Sequence, residues 1–488
     1  MDFLVALAFQ ASPGLTDWEA EGRAALMAAK EKQVIEGPAK NVILFIADGM
    51  DVTTSTAARI LAGQQAGGSG EENLLTFESL PFTGFAKTYN TNMQVPDSAG
   101  TATAILSGHK TKAGVINVNQ TVPRGDCEAS KSGRLPTILE VAQDTERSIG
   151  VVSTARLTHA TPASLYASAA DRGWEADRNL PEGVDCEDIA SQLIDAAQNY
   201  ELVVALGGGR SNFLPKATPD PEYPNRTGAR EDARDLMAGW RGISRRHKTV
   251  TTRSELLEAS KRDKVLGLFE PSHMMYEHDR TEREADEPSI AEMTRFAIER
   301  LSRDKDGYFL LVEGGRVDHA HHSGNAYRAL TDAIAFDEAV KVATEMTDPE
   351  DTLIIVTADH GHTISFNGYP HRGNPIMGVV KGLTSEGEPS ELPEQAGDQR
   401  PYTTLSYANG QGAKVTPAIE GRPAGRPFVE EDEALDPDYK QQALVPMFSE
   451  THGGQDVAIY ARGPGAHYLT GVNEQNYIYY VMEDALRK

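Results

Sequence analysis

The sequence predicts an α/β fold: a three-layer sandwich with a largely parallel central sheet, helices on both faces and one inserted subdomain. Two observations carry the sheet. Near-continuous apolar runs bounded by turn signals alternate with segments of helical periodicity, the pattern of strands buried on both faces. Three of these runs, 41–47, 308–312 and 352–357, stop at or just before an acid: Asp48, Glu313 and Asp359. A third observation carries the insertion. Between 367 and 448 the apolar periodicity fades while Gly, Pro and acidic residues rise. The expected organisation is an N-terminal segment at 1–36, a main domain over 37–366 and 449–488, and an inserted subdomain at 367–448.

In chain order, Thr16-Asp17-Trp18-Glu19 has a capping-box pattern and opens a helix to about residue 32, which Gly37 and Pro38 end. The run 41–47 is a buried strand. Residues 63–70 are a Gly-rich loop without phosphate-binding spacing, and 84–89 is another strand. Pro96 and Asp97 mark the start of a small-residue helix over 99–106. A helix at 135–145, a strand at 149–153, a helix at 188–200 and a strand at 202–206 follow. Gly207-Gly208-Gly209 lacks a dinucleotide fingerprint and reads as a turn. Residues 215–230 are loop-like. Helices at 289–302 and 325–346 flank the strand at 308–312. The strand at 352–357 precedes the insertion, and a strand at 457–461 and a helix at 477–486 close the chain. There is no internal repeat.

Composition narrows the function. The chain has 488 residues, 39% of them hydrophobic, enough for a sizeable core. No apolar run approaches the roughly 20 residues of a membrane span. A net charge of −25, from 72 acidic and 47 basic residues, argues against a nucleic-acid partner. That acidity fits either a solvated, self-repelling surface or life in high salt. The apolar run 3–9, with Ala8-Phe9-Gln10-Ala11, resembles a signal peptide that is weak or truncated, because it lacks a positive leading region. The two cysteines, Cys127 and Cys186, fit one disulfide in an oxidising compartment or two buried thiols.

The chemistry concentrates in a few places. Ser98 stands where a helix begins, so it is either a helix cap or a hydroxyl aimed at an anion. In open α/β sheets ligands bind beyond the carboxyl ends of the strands, and three acids there suit cations. The densest segment is Glu313-Gly314-Gly315-Arg316-Val317-Asp318-His319-Ala320-His321-His322. On a helix Asp318 and His322 share a face and can hold one zinc between them. His321 faces away, as a bystander or a supporting residue. Asp359 and His360 can turn toward one cation, and His452 precedes a strand with no local structural task. His362 and His371 read as loop histidines. His109, His247, His273, His278 and His467 read as surface residues.

Asp97-Ser98-Ala99, Glu313…Asp318…His322, Asp359-His360 and Thr451-His452-Gly453-Gly454 together resemble the alkaline phosphatases, with these residues in chain order at matching local spacing. The resemblance implies a site of two Zn2+ and one Mg2+. Asp318, His322 and His452 would hold the first zinc. Asp48, Asp359 and His360 would hold the second, beside the nucleophile Ser98. Asp48, Thr161 and Glu313 would hold magnesium. Arg172, in Ala170-Asp171-Arg172-Gly173, falls at the phosphate-clamping position, where a guanidinium fork matches two phosphate oxygens. His159 and His319 stand where some bacterial members carry an acid and a lysine, as in the animal-type and several marine bacterial enzymes. That branch also implies a Ca2+ site from Glu222, the Phe269 carbonyl, Glu270 and a final carboxylate. The final ligand is an Asp in the branch and Glu287 here, with Asp286 adjacent. The branch further implies a Cys127–Cys186 disulfide, a crown-like subdomain at 367–448 and a homodimer in the periplasm or outside the cell. The implied reaction is hydrolysis of small phosphate monoesters through a phosphoserine. A phosphodiesterase or sulfatase of the same superfamily is the enzymatic alternative, with Thr or a modified Cys/Ser as nucleophile. A metal-storing or phosphate-binding protein without turnover is the non-enzymatic one, and Ser98 counts against it.

Overall fold

The computed structural model describes residues 17–418 and 424–487. Thr16 and the signal-peptide pattern lie outside the described residues. The strands are β1 Asn41–Ile46, β2 Phe82–Lys87, β3 Ser148–Arg156, β4 Leu202–Gly208, β5 His247–Val250, β6 Lys264–Leu268, β7 Tyr308–Glu313 and β8 Thr352–Thr357. After them come β9 Gly361–His362, β10 Ile364–Phe366, β11 Leu405–Gly410, β12 Ala443–Pro446, β13 His452–Gly453, β14 Val457–Arg462 and β15 Gly471–Glu474.

Ten strands form one sheet in the order β15-β2-β14-β8-β1-β7-β3-β4-β6-β5. From β8 to β5 every neighbouring pair is parallel. β14 is antiparallel to both β8 and β2, and β15 is parallel to β2. Thus β14 alone runs against the other nine. The central strands β1, β7 and β8 are buried along their whole length, as their unbroken apolar runs require. Two groups of helices flank the sheet. Ala326–Met346 packs with Val52–Gln65 and Ile290–Leu301, while Ser98–Ser107 packs with Ala160–Tyr166 and Tyr477–Arg487. β10, β11 and β12 form a separate three-stranded sheet, and the region outside the main core has its own apolar cluster of Val379, Val429 and Ala434.

Most predicted elements stand within a few residues of their expected bounds. Asp17 caps the first helix, Trp18–Glu31, which buries none of its residues. Ser289 and Glu292 form a capping box for Ile290–Leu301. The expected loop at 63–70 begins inside a helix, because Val52–Gln65 runs through Gly63. The region 236–268 holds two helices and the strands β5 and β6, none of which the periodicity revealed. These elements have 4–8 residues each, too few turns or alternations to show a period. Gly207 and Gly208 belong to β4, and only Gly209 turns, with φ 98°. Cys127 and Cys186 form a disulfide, which removes the two-thiol alternative.

Candidate metal centre and nucleophile

The sheet register brings the acids together. Ile46 of β1 pairs with Glu313 of β7 and with Thr357 of β8. Asp48 and Asp359, each two residues further on, therefore emerge side by side. The Gly49 N–H donates to Asp359 Oδ1 at 3.1 Å, and the Thr101 hydroxyl donates to its Oδ2 at 3.1 Å. Gly49 is left-handed (φ 76°), and a Cβ there would meet the His362 ring at 2.5 Å. β14 runs the other way, so its entry lies at this same edge and carries His452, on the short strand β13, into the site.

Three donor clusters result. In the first, His322 Nε2 and His452 Nε2 are 3.0 Å apart, and each lies 3.3 Å from Asp318 Oδ1. Three ligands about 2.0–2.1 Å from a tetrahedral zinc stand about 3.3 Å apart, so this triangle has a cation's dimensions. The helix Arg316–His322 makes the i, i+4 pairing. The His322 Nδ1–H donates to the Glu450 carbonyl at 2.6 Å and the His452 Nδ1–H to the Pro96 carbonyl at 2.8 Å, which aims both Nε2 atoms inward. In the second cluster His360 Nε2 lies 3.4 Å from Asp48 Oδ1 and 3.4 Å from Asp359 Oδ2. The third joins Asp48, Glu313 and His159, whose ligand atoms lie within 4.8 Å of one another. Asp48 belongs to two of the three.

Ser98 is the first residue of the helix Ser98–Ser107, and Asp97 is its cap, accepting from Gly100 N. The cap task is filled, which frees the Ser98 hydroxyl. Its Oγ lies 3.1 Å from His360 Nε2, and the residue is 2% exposed. Arg172 Nη1 donates to Asp97 Oδ2 at 3.1 Å, and its Nη2 lies 3.1 Å from His159 Nε2.

The charge balance asks for cations. Both Asp48 carboxylate oxygens, Glu313 Oε1, Thr161 Oγ1, His159 Nδ1 and His319 Nδ1 are buried without a hydrogen-bond partner. Such groups are costly unless something compensates them. Burial, and then the neighbouring acids, push Asp48 well above the usual carboxylate range. Burial pushes Glu313 up to about 8 and raises Asp359. Asp318 behaves oppositely. Burial raises it, but His322, His362 and His452 pull it well below its ordinary value. These orphaned donors fit divalent cations.

Several histidines differ from expectation. His362 is no loop residue: it is buried, donates from Nε2 to Asp318 Oδ1 at 2.9 Å and from Nδ1 to Glu450 Oε2 at 2.6 Å. Burial opposes its charge, yet the two carboxylates raise it to about 10. His321 is a buried supporting residue between Tyr407 and Thr54. His247 is buried against Trp240, not on the surface. His273 lies against His319 and His159, also away from its expected surface position. No local motif singled out Glu450 or His273, which the fold alone brings to the site.

At the expected calcium position Glu222 Oε2 accepts from Arg210 at 3.0 Å, Glu270 Oε1 from the Tyr223 hydroxyl at 2.7 Å, and Glu287 from the Met275 N–H at 3.0 Å. Their carboxylates do not converge as tightly as the three clusters above. Burial, and then Glu270, push Glu287 up to about 8.

Fold and site together define a metal-binding α/β protein with a buried serine hydroxyl among its clustered acids and histidines. The family model for alkaline phosphatase matches residues 39–488. The chain is 44% identical over 479 residues to the tissue-nonspecific alkaline phosphatase of Gallus gallus, covering 95% of this chain and 88% of that protein. It is 42% identical over 477 residues to the Homo sapiens isozyme (95% and 87%) and 43% identical over 454 residues to the alkaline phosphatase of Gadus morhua (91% of each). The chain belongs to the alkaline phosphatase family. It is a metal-binding phosphoric monoester hydrolase, and the diesterase and sulfatase alternatives are not favoured. The Thermus thermophilus alkaline phosphatase shares the fold, with a TM-score of 0.64 at 22% identity over 97% of this chain and 96% of that one. The enzyme from the Antarctic bacterium TAB5 shares it at 0.60 and 21%, over 93% and 99%.

Proposed function

We propose that Ser98 is the nucleophile of a two-step hydrolysis of phosphate monoesters. Ser98 Oγ forms a bond to phosphorus as the ester P–O bond breaks and the alcohol departs. Water then cleaves the phosphoserine and inorganic phosphate leaves. The observation that carries this is Ser98 Oγ, 3.1 Å from His360 Nε2, beside the cluster of Asp48, Asp359 and His360. Arg172, steered by Asp97, offers its fork to two phosphate oxygens. Asp318, His322 and His452 would hold one Zn2+; Asp48, Asp359 and His360 a second; Asp48, His159, Thr161 and Glu313 a Mg2+. When bound, these cations supply Lewis-acid stabilisation of the attacking and leaving oxygens.

Two in-line displacements retain configuration at a chiral phosphorus, whereas one inverts it. Retention, with phosphate trapped on Ser98 at acidic pH, is the expected result; inversion eliminates the covalent intermediate. Ser98→Ala should retain its metals and lower turnover by several orders of magnitude.

The separate small sheet and apolar cluster support a crown-like subdomain at 367–448. Tyr369 (89% exposed), Leu444 (82%) and Phe448 (99%), large apolar side chains of the inserted region, support burial against a second copy, hence a homodimer. The disulfide supports a periplasmic or secreted location. Among the described residues no helix is long and apolar enough to cross a membrane. Glu222, Phe269, Glu270 and Glu287 form a candidate Ca2+ site, supported by their shared neighbourhood and by the pressure that Glu270 puts on Glu287.

A further inference from the structure

His273 has no part in the scheme above, yet the fold spends several constraints on its position. It lies between β6 and the helix Glu277–Glu282. The backbone on either side is tied to the sheet. Gly209 N donates to the Ser272 carbonyl at 2.6 Å, and Met274 N donates to the Thr154 carbonyl at 3.0 Å. A Cβ on Gly208 would fall 2.2 Å from that same Ser272 carbonyl, so this segment can lie against β4 only over a glycine. The His273 side chain is fixed as well. Its Nδ1 accepts from the Arg156 backbone N–H at 3.2 Å. Arg156 in turn is held by Glu175 through Nε and Nη2, each at 2.7 Å.

This clamped ring leans on His159, a member of the third cluster, and on His319. Its centroid is 4.0 Å from that of His319 and 5.4 Å, edge-on at 81°, from that of His159. His159 and His319 are themselves 5.3 Å apart. His159 lies beside both the third cluster and Arg172. One of its nitrogens lies within 4.8 Å of carboxylate oxygens of both Asp48 and Glu313, and its Nε2 is 3.1 Å from Arg172. A rotation of this imidazole would disturb the third cation and the phosphate-binding guanidinium together. His273 and His319 both pack against this ring.

We infer that His273 is a positioning residue for the reaction: clamped by Arg156, it braces the His159–His319 pair and so sets the His159 ring that serves both the third cation position and Arg172. The inference rests on the roles proposed above for His159 and Arg172.

The test uses the zinc-loaded full chain carrying His273→Ala, His273→Phe or His159→Ala. Mg2+ uptake is measured by dialysis and elemental analysis, and inorganic phosphate binding by calorimetry. Outer partners of metal ligands typically change affinity by 10–100-fold, so His273→Ala should weaken Mg2+ binding about 10-fold and phosphate binding by a few-fold, with both zincs retained. His273→Phe keeps the ring and should restore most of both. Unchanged Mg2+ and phosphate binding in His273→Ala overturns the inference. So does loss of zinc in step with magnesium, or failure of the phenylalanine to restore, since each describes a residue that only holds the loop. If His159→Ala also leaves both affinities unchanged, the role of His159 itself is overturned.

Discussion

The two halves of the metal centre solve the same electrostatic problem in opposite ways. Around Asp318 the protein surrounds one carboxylate with His322, His362 and His452, and the acid is held well below its ordinary range. Backbone carbonyls and Glu450 orient those rings before any ion arrives. Around Asp48 the protein buries carboxylates beside one another, with both Asp48 oxygens unpartnered, and the acids are pushed up. The histidine half is close to self-sufficient, whereas the carboxylate half depends on ions for its charge balance. The difference teaches where each half should fail.

The largest separation should come from removing one acid from each half. Asp48 serves two clusters, so Asp48→Asn should cost the ions of both and reduce activity by several orders of magnitude. Asp318→Asn leaves His322 and His452 in place and should cost one. Elemental analysis of both purified variants counts the ions, and equal losses would erase the contrast.

A smaller effect lies in pH. Without cations, Glu313 keeps its proton to about pH 8, against an ordinary value of 4.5. Between those values the folded protein binds more protons than the unfolded chain, so this group's stabilisation is full below about 4.5 and is lost as pH rises toward 8. Asp48 and Asp359 shift the same way. Bound cations need the carboxylates ionised and reverse the trend. The gap in thermal midpoint between metal-loaded and chelator-stripped protein should widen from pH 5 to pH 8. A gap that narrows would mean that the carboxylate half is already balanced.

The smallest expected effect concerns the whole surface against the site. Self-repulsion within a chain of net charge −25 should be screened by salt, so thermal midpoints should climb from low to molar NaCl. A flat series would leave the acidity as a solubility device.

Much of the site was legible because its ligands sit in short local patterns. Acids at the ends of apolar runs, Asp318 and His322 at helical spacing, and Ser98 at a helix start each announce themselves within ten residues. His362 did not, because what places it in the cluster is Glu450, 88 residues away, and a left-handed Gly49 that leaves room for its ring. His273 was equally hidden, since its neighbours His159 and His319 come from the start of one helix and the interior of another, far away in the chain. β5 and β6 were missed for a different reason: 4- and 5-residue strands near one sheet edge have too few residues to establish a pattern.

The reversed course of β14 also bears on the timing of synthesis. β1 lies beside β8, whose first residue comes 311 positions after Asn41, and His452 and β14 follow only after the inserted region. A chain still emerging from the ribosome can form local helices, but it cannot close the centre of its sheet until most of its length is available. His452, which completes the cluster with Asp318 and His322, follows the inserted region. Chains that stop short of His452 therefore carry Ser98 without the full set of clustered donors. The set of donor clusters closes only once the chain has been made past residue 452, so a nascent chain holds Ser98 well before it can hold ions around it.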